Sequence, residues 1–110
     1  MAYRQTYKPT GPDGGPPEML FYEWIGTLTV EEQNEVIPLW EQNGAKIQNL
    51  VDQGLLVIDE SVPGQYTRIW IDEQTMLAND LKLPPDLQKY WTRWQTEYNV
   101  TTTVVFEGNV

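Results

Sequence analysis

Segments suited to a pleated strand and segments suited to a helix follow one another in this 110-residue chain as strand, helix, strand, strand, helix, strand. That order constrains the fold more than any single motif does. A chain of this length fits one domain with a real core. Two helix-length crossovers around a central hairpin, each right-handed, predict an α+β fold of βαββαβ order: a four-stranded antiparallel sheet with both helices on one face.

The run Met19 to Leu28, rich in aromatic and branched residues, suits the first strand. Thr29-Val30-Glu31-Glu32 then matches a capping box, in which the threonine oxygen and the Glu32 carboxylate satisfy amides orphaned at a helix start. Val36 or Ile37, Trp40, Gly44, Ile47 and Val51 recur at helical spacing, and Gly54 is placed to end that helix. Pro38 should bend it, because it cannot donate to the carbonyl of Asn34. Leu55 to Glu60 and Gln65 to Ile71 form a hairpin around Ser61-Val62-Pro63-Gly64. Asp72 caps a helical turn running through Leu81, and Pro84-Pro85 interrupts before a second start near Asp86. Leu87, Tyr90 or Trp91, Trp94 and Tyr98 carry the last helical stripe, and Thr101 to Phe106 the last strand.

Residues 1–17 read differently from the rest. Their prolines and glycines predict a flexible tail, leaving 18–110 as the folded domain. The glycines of Gly11 to Pro17 do not make a phosphate loop, since the prolines remove amide donors and no P-loop lysine follows. A net charge of -9, from 16 acids against 7 bases, repels phosphate backbones and anionic lipid surfaces, so neither nucleic acid nor membrane is an expected partner. With no long apolar run and no basic-then-apolar start, a soluble cytoplasmic protein is expected.

Absent residues restrict the chemistry. The chain has no histidine and no cysteine, the usual ligands of zinc and haem, and with one serine and no histidine a serine hydrolase triad cannot form. No metal and no cofactor is expected. Glu31, Glu32 and Glu35 either favour the positive end of the first helix or bind a divalent cation. Trp91 and Trp94 either belong to the core or stack on a sugar or base.

The candidate site comes from the strand faces. Both faces of the run Met19 to Leu28 look buried, and if Ile69 and Ile71 meet the helices, Tyr66, Arg68 and Trp70 turn to the opposite side. Such a patch needs a cover, and a second copy is the simplest one. Arg68 and Trp70 would then sit beside Glu23, or beside Tyr22 and Trp24, depending on strand phase. If Glu23 and Arg68 share an enclosed face, they can orient an anionic or aromatic small molecule and poise the carboxylate as a base. Alternatively the pair is structural, or Arg68 lies across an aromatic ring while the tryptophans fill the interface.

From Glu18 to Glu107, the order of elements and the length resemble the dimeric α/β-barrel group of ferredoxin-like proteins, including its environmental members. The resemblance implies a ferredoxin-like homodimer whose two sheets pair face to face around a cavity. Some relatives are cofactor-free oxygenases of the antibiotic-biosynthesis type, others haem enzymes or isomerases, and several have no known activity. The haem histidine of that group has no counterpart here, and no catalytic motif of the group matches. Three readings of function follow: a homodimeric binding or structural protein, a cofactor-independent oxygenase or isomerase, or a subunit of a larger assembly.

Overall fold

A computed structural model describes residues 1–79 and 81–110. Its elements run β1 (Tyr3–Thr10), α1 (Phe21–Ile25), α2 (Val30–Asp52), β2 (Leu56–Asp59), β3 (Tyr66–Trp70), α3 (Glu73–Ala78), α4 (Pro85–Tyr98) and β4 (Thr101–Asn109). The four strands form one sheet of order β2-β3-β1-β4, with every neighbouring pair antiparallel. The architecture is α+β.

The first strand is where a tail was expected. Tyr3–Thr10 lies in the middle of the sheet, between β3 and β4. Tyr3, Gln5 and Tyr7 alternate with Arg4, Thr6 and Lys8, the period of a strand. Pro9 falls beyond the last β3 partner, Tyr7, where β1 is flanked by β4 alone and a missing amide is tolerated. The glycine-rich segment after it reverses the chain, with the Gly11 amide donating to the Gly15 carbonyl at 2.8 Å and Gly14 at φ 81°.

The run expected as the first strand is instead the short helix α1. Phe21, Trp24, Ile25 and Leu28 stand at i, i+3, i+4 and i+7, so the apolar content on both apparent strand faces was one helical stripe. Phe21, Trp24 and Ile25 are buried.

Helix α2 and the β2–β3 hairpin form where the sequence predicts them. Thr29 Oγ1 accepts the Glu32 amide at 3.2 Å, and the Glu32 carboxylate accepts the Thr29 amide at 3.2 Å, completing the capping box. Gly54 ends α2 at φ 73°, and Gly64 turns the β2–β3 hairpin at φ 78°. Asp72 caps α3 through a 2.7 Å bond from the Thr75 amide. The helical turn expected through Leu81 stops at Ala78, and residue 80 lies outside the described residues. Pro84 occupies the N-cap position of α4 and Pro85 opens the helix, where a missing amide costs nothing.

Two cores result, and α2 joins them. Its first half, through Val36, Leu39 and Trp40, packs with α1 and α4 around Leu87, Tyr90 and Trp94. Its second half, through Ile47, Leu50 and Val51, packs on the sheet against Tyr3, Leu56 and Trp70, with Met76 of α3 alongside. At about 1.5 Å per residue, 23 residues give a helix of roughly 34 Å, enough to span both clusters. Pro38 lies within the first contact zone, between Val36 and Leu39, and the helix continues through it to Asp52. The expected pair of helices on one sheet face is therefore the second half of α2 together with α3, while α4 packs on α1 and α2.

Candidate functional site

Trp70 sets which face of β3 meets the helices. Its ring is 1% exposed and packs with Leu50 and Leu56, so the indole is taken out of water by α2. Strand alternation then carries Arg68 and Tyr66 to the same helix-bearing side, and Ile69 to the open one. This reverses the expected phase, in which the isoleucines met the helices. A buried tryptophan removes more apolar area than Ile69, and Ile71 lies beyond the strand end, 49% exposed.

Three cross-strand layers build that side. Trp70 stands between Tyr3 and Leu56, Arg68 between Gln5 and Ile58, and Tyr66 beside Tyr7. The Trp70 indole N–H donates to Gln5 Oε1 at 2.9 Å, satisfying both buried polar groups. Tyr3 donates its hydroxyl to Glu107 of β4 at 2.7 Å. That bond to a carboxylate, assisted by burial, pushes the Tyr3 phenol up to about 12.

Arg68 has aromatic neighbours and, among the described residues, no acid within ion-pair distance. Its guanidinium carbon lies 5.6 Å from the Tyr7 ring centre and 5.4 Å from that of Tyr66, within cation–π reach of both. Its Nε is buried with no hydrogen-bond acceptor. Burial raises the Tyr7 phenol, and the positive charge of Arg68 works against that rise. Alongside, α2 and β2 leave an open groove of about 460 Å³, lined by Ile47, Val51, Leu56, Ile58 and Tyr66 among others, with Glu60 in its wall.

The other three candidate residues lie elsewhere, in α1. Tyr22 is exposed, and Glu23 accepts the Leu20 amide at 3.4 Å at the start of its own helix. Trp24 is 1% exposed in the helical core and donates its indole N–H to Glu97 at 2.7 Å. Glu23 and Arg68 thus belong to separate parts of the fold and form no ion pair. The cause is the helix at residues 21–25: without a strand there, no sheet register places Glu23 opposite β3.

Glu32 and Glu35 join α2 to α4. Glu32 pairs with Arg93 at 2.6 Å, and Glu35 with Lys89 at 2.7 Å while accepting the Tyr90 hydroxyl at 2.9 Å. The Arg93 bond, with those from Thr29, lowers the Glu32 carboxyl, and the Lys89 and Tyr90 bonds lower that of Glu35. Among the described residues, no group of three or more His, Cys, Asp or Glu could hold a metal ion. Trp91 and Trp94 belong to an aromatic cluster with Phe21, their ring centres 4.8 and 5.8 Å from it.

A second surface stands out at the sheet edge. β4 is nine residues long, pairs with β1 on one side only, and carries no charged residue from Thr101 to Phe106 in a chain that is 21% charged. Thr101 through Val105 are all exposed, with Val104 at 55%. β2, at the opposite edge, is four residues long and ends at Asp59 with Glu60 following, the usual guards against strand addition. A register shift opposite Thr6/Tyr7 bends β4 near Val105 and leaves the stretch from Thr101 to Val104 regular. The open sheet face, by contrast, presents Arg4, stacked 4.4 Å from the Phe106 ring, together with Lys8 and Asp59.

Sequence reading missed Tyr3, Gln5 and Tyr7 because the prolines and glycines nearby outweighed their alternation. Among the described residues, no helix is long and apolar enough to cross a membrane. In comparisons with known proteins, no family model, no curated protein and no solved structure matches the chain.

Proposed function

We propose that this chain is a binding or structural module that acts as a homodimer, its two copies joined edge to edge through β4. The observation that carries this reading is the exposed, uncharged outer edge of β4, a row of unpaired N–H and C=O groups flanked by β-branched side chains. A two-fold axis normal to the sheet pairs the strand antiparallel with itself. Centred on Thr103, before the bend, it sets Thr102 against Val104 and Thr101 against Val105 of the other copy and brings no two charges together.

Edge pairing is favoured over stacking of the two open faces, because stacking would bury Arg4, Lys8 and Asp59. The strand order and the antiparallel neighbours support a ferredoxin-like reading of the fold, with α1, α3 and the packing of α4 on α2 as departures from the simple βαββαβ pattern. The absence of histidine and cysteine, together with the pairing of Glu32, Glu35, Glu97 and Glu107, supports binding rather than catalysis. Light scattering across a micromolar concentration series tests the proposal. Dimerisation gives a mass rising toward twice 12.8 kDa; a mass that stays at the single-chain value defeats it, and one that climbs past the dimer favours a larger assembly.

A further inference from the structure

We propose that the groove between α2 and β2 takes a short extended peptide, which adds as a strand to the outer edge of β2 and carries a basic residue two positions before an apolar one. The groove follows that edge. Val57 and Ile58 point to opposite faces of β2, yet both line it, so it opens along the strand rather than over one face. β2 pairs with β3 on one side only. The Ile71 amide donates to the Leu55 carbonyl at 3.1 Å, and bonded pairs alternate along an antiparallel ladder. Val57 and Asp59 therefore bond to β3, while the N–H and C=O of Ile58 point outward and can pair with an added strand.

Side-chain alternation sets what the strand must carry. In an antiparallel addition, the residue opposite Ile58 shares its face and enters the groove, where Ile47 and Val51 of α2 and Tyr66 of β3 make an apolar lining. That residue is apolar for the same reason. Two positions earlier, on the same face, the added strand passes Glu60, the one charged group among the described residues that line the groove. No base in the lining offsets this carboxylate, and a chain of net charge -9 draws a cation toward it. The acids at this end of β2 thus disfavour another copy of the chain and favour a strand with lysine or arginine. Gly44 makes the room: it shares one stripe of α2 with Ile47 and Val51, and a Cβ there would meet nothing within 4 Å. A volume of about 460 Å³ lies within the range of ligand pockets.

The end-blocked peptide Thr-Lys-Thr-Leu-Thr, titrated into ¹⁵N-labelled protein, tests this directly. The amides of Ile58 and Glu60, with those of Ile47 and Val51, should shift saturably with a Kd below about 1 mM. Thr-Glu-Thr-Leu-Thr, and the lysine peptide N-methylated at its leucine, should each bind at least about fivefold more weakly, through charge reversal beside Glu60 and loss of a backbone bond to Ile58. Gly44→Trp fills the groove and should weaken binding at least about tenfold. Glu60→Lys, at an exposed position, should make the glutamate peptide the preferred one. No saturable shift, equal affinity for the lysine and glutamate peptides, indifference to N-methylation, or undiminished binding to a folded Gly44→Trp would overturn the proposal. If Gly44→Trp does not fold, Glu60→Lys decides, and a preference that stays with the lysine peptide overturns it. The groove and the β4 edge lie at opposite edges of the sheet, so loss of the dimer should leave peptide binding unchanged, and failure of either proposal leaves the other standing.

Discussion

Replacing Thr103 by glutamate should weaken the dimer while leaving each subunit folded. Thr103 is exposed and stands opposite Lys8 of β1, so within one chain the new carboxylate gains a cation as its cross-strand neighbour. Across the two-fold it meets its own copy. Directly opposed side chains in an antiparallel pair lie about 5 Å apart at Cβ. Two like charges at that distance, in the intermediate dielectric of a protein surface, repel by about 2 kcal/mol, which weakens the dissociation constant roughly thirtyfold. Sedimentation equilibrium at moderate salt reads this as a shift from dimer to single chains at fixed concentration. Thr103→Lys, mixed with Thr103→Glu, should recover association because the opposed charges become complementary. A glutamate variant as dimeric as the original, or a mixture no more associated than either variant alone, would refute the pairing.

Three further outcomes test the fold that presents these surfaces. Thr29→Ala removes the acceptor of the Glu32 amide and should lower stability by about 1 kcal/mol in urea unfolding, and a change of under a few tenths would show the capping box to be idle. Leu87, 0% exposed at the centre of the helical core, should cost about 2–5 kcal/mol as Leu87→Ala, whereas a loss below about 1 kcal/mol would mean that core is loosely packed. Tyr3 keeps its proton to about pH 12, so its contribution to stability is fully present below the unfolded phenol value near 10 and is lost as pH rises through about 12. Ultraviolet titration should show a late-ionising phenol that disappears in Tyr3→Phe, and identical titration curves would contradict the bond to Glu107.

Helices α2 and α4 were the most legible part of this chain. A capping box at Thr29, a glycine at position 54 and a stripe from Val36 to Val51 are local signals, and local physics decided them. The hairpin and the last strand were legible for the same reason, each bounded by turn residues. The first strand was not. Tyr3 to Thr10 alternates correctly, but two tyrosines and no aliphatic residue make a weak apolar signal, and the strand owes its stability to Trp70 and to β4, distant in sequence. The run Met19 to Leu28 misled in the opposite direction, since a short apolar segment has the same composition in a buried helix as in a strand.

Of the candidate site, Tyr66, Arg68 and Trp70 share one strand face as their alternation required, but the choice of face followed from which bulky ring α2 could bury. Tyr22, Glu23 and Trp24 left the site once residues 21–25 became helical. The β4 edge was legible only in part, because branched residues mark a strand without marking its place in the sheet. Strand order is a tertiary result, and here it placed the uncharged stretch from Thr101 to Phe106 at a sheet edge.

Hydrogen exchange of the β4 amides at low and high protein concentration tests the central claim most directly. Residues 101–105 lose an open edge on pairing, so those of their amides that point away from β1 should slow as concentration rises, in step with the increase in mass. Exchange in β4 that is independent of concentration, while the mass doubles, would place the interface elsewhere on the molecule; a mass of 12.8 kDa throughout would remove the dimer altogether.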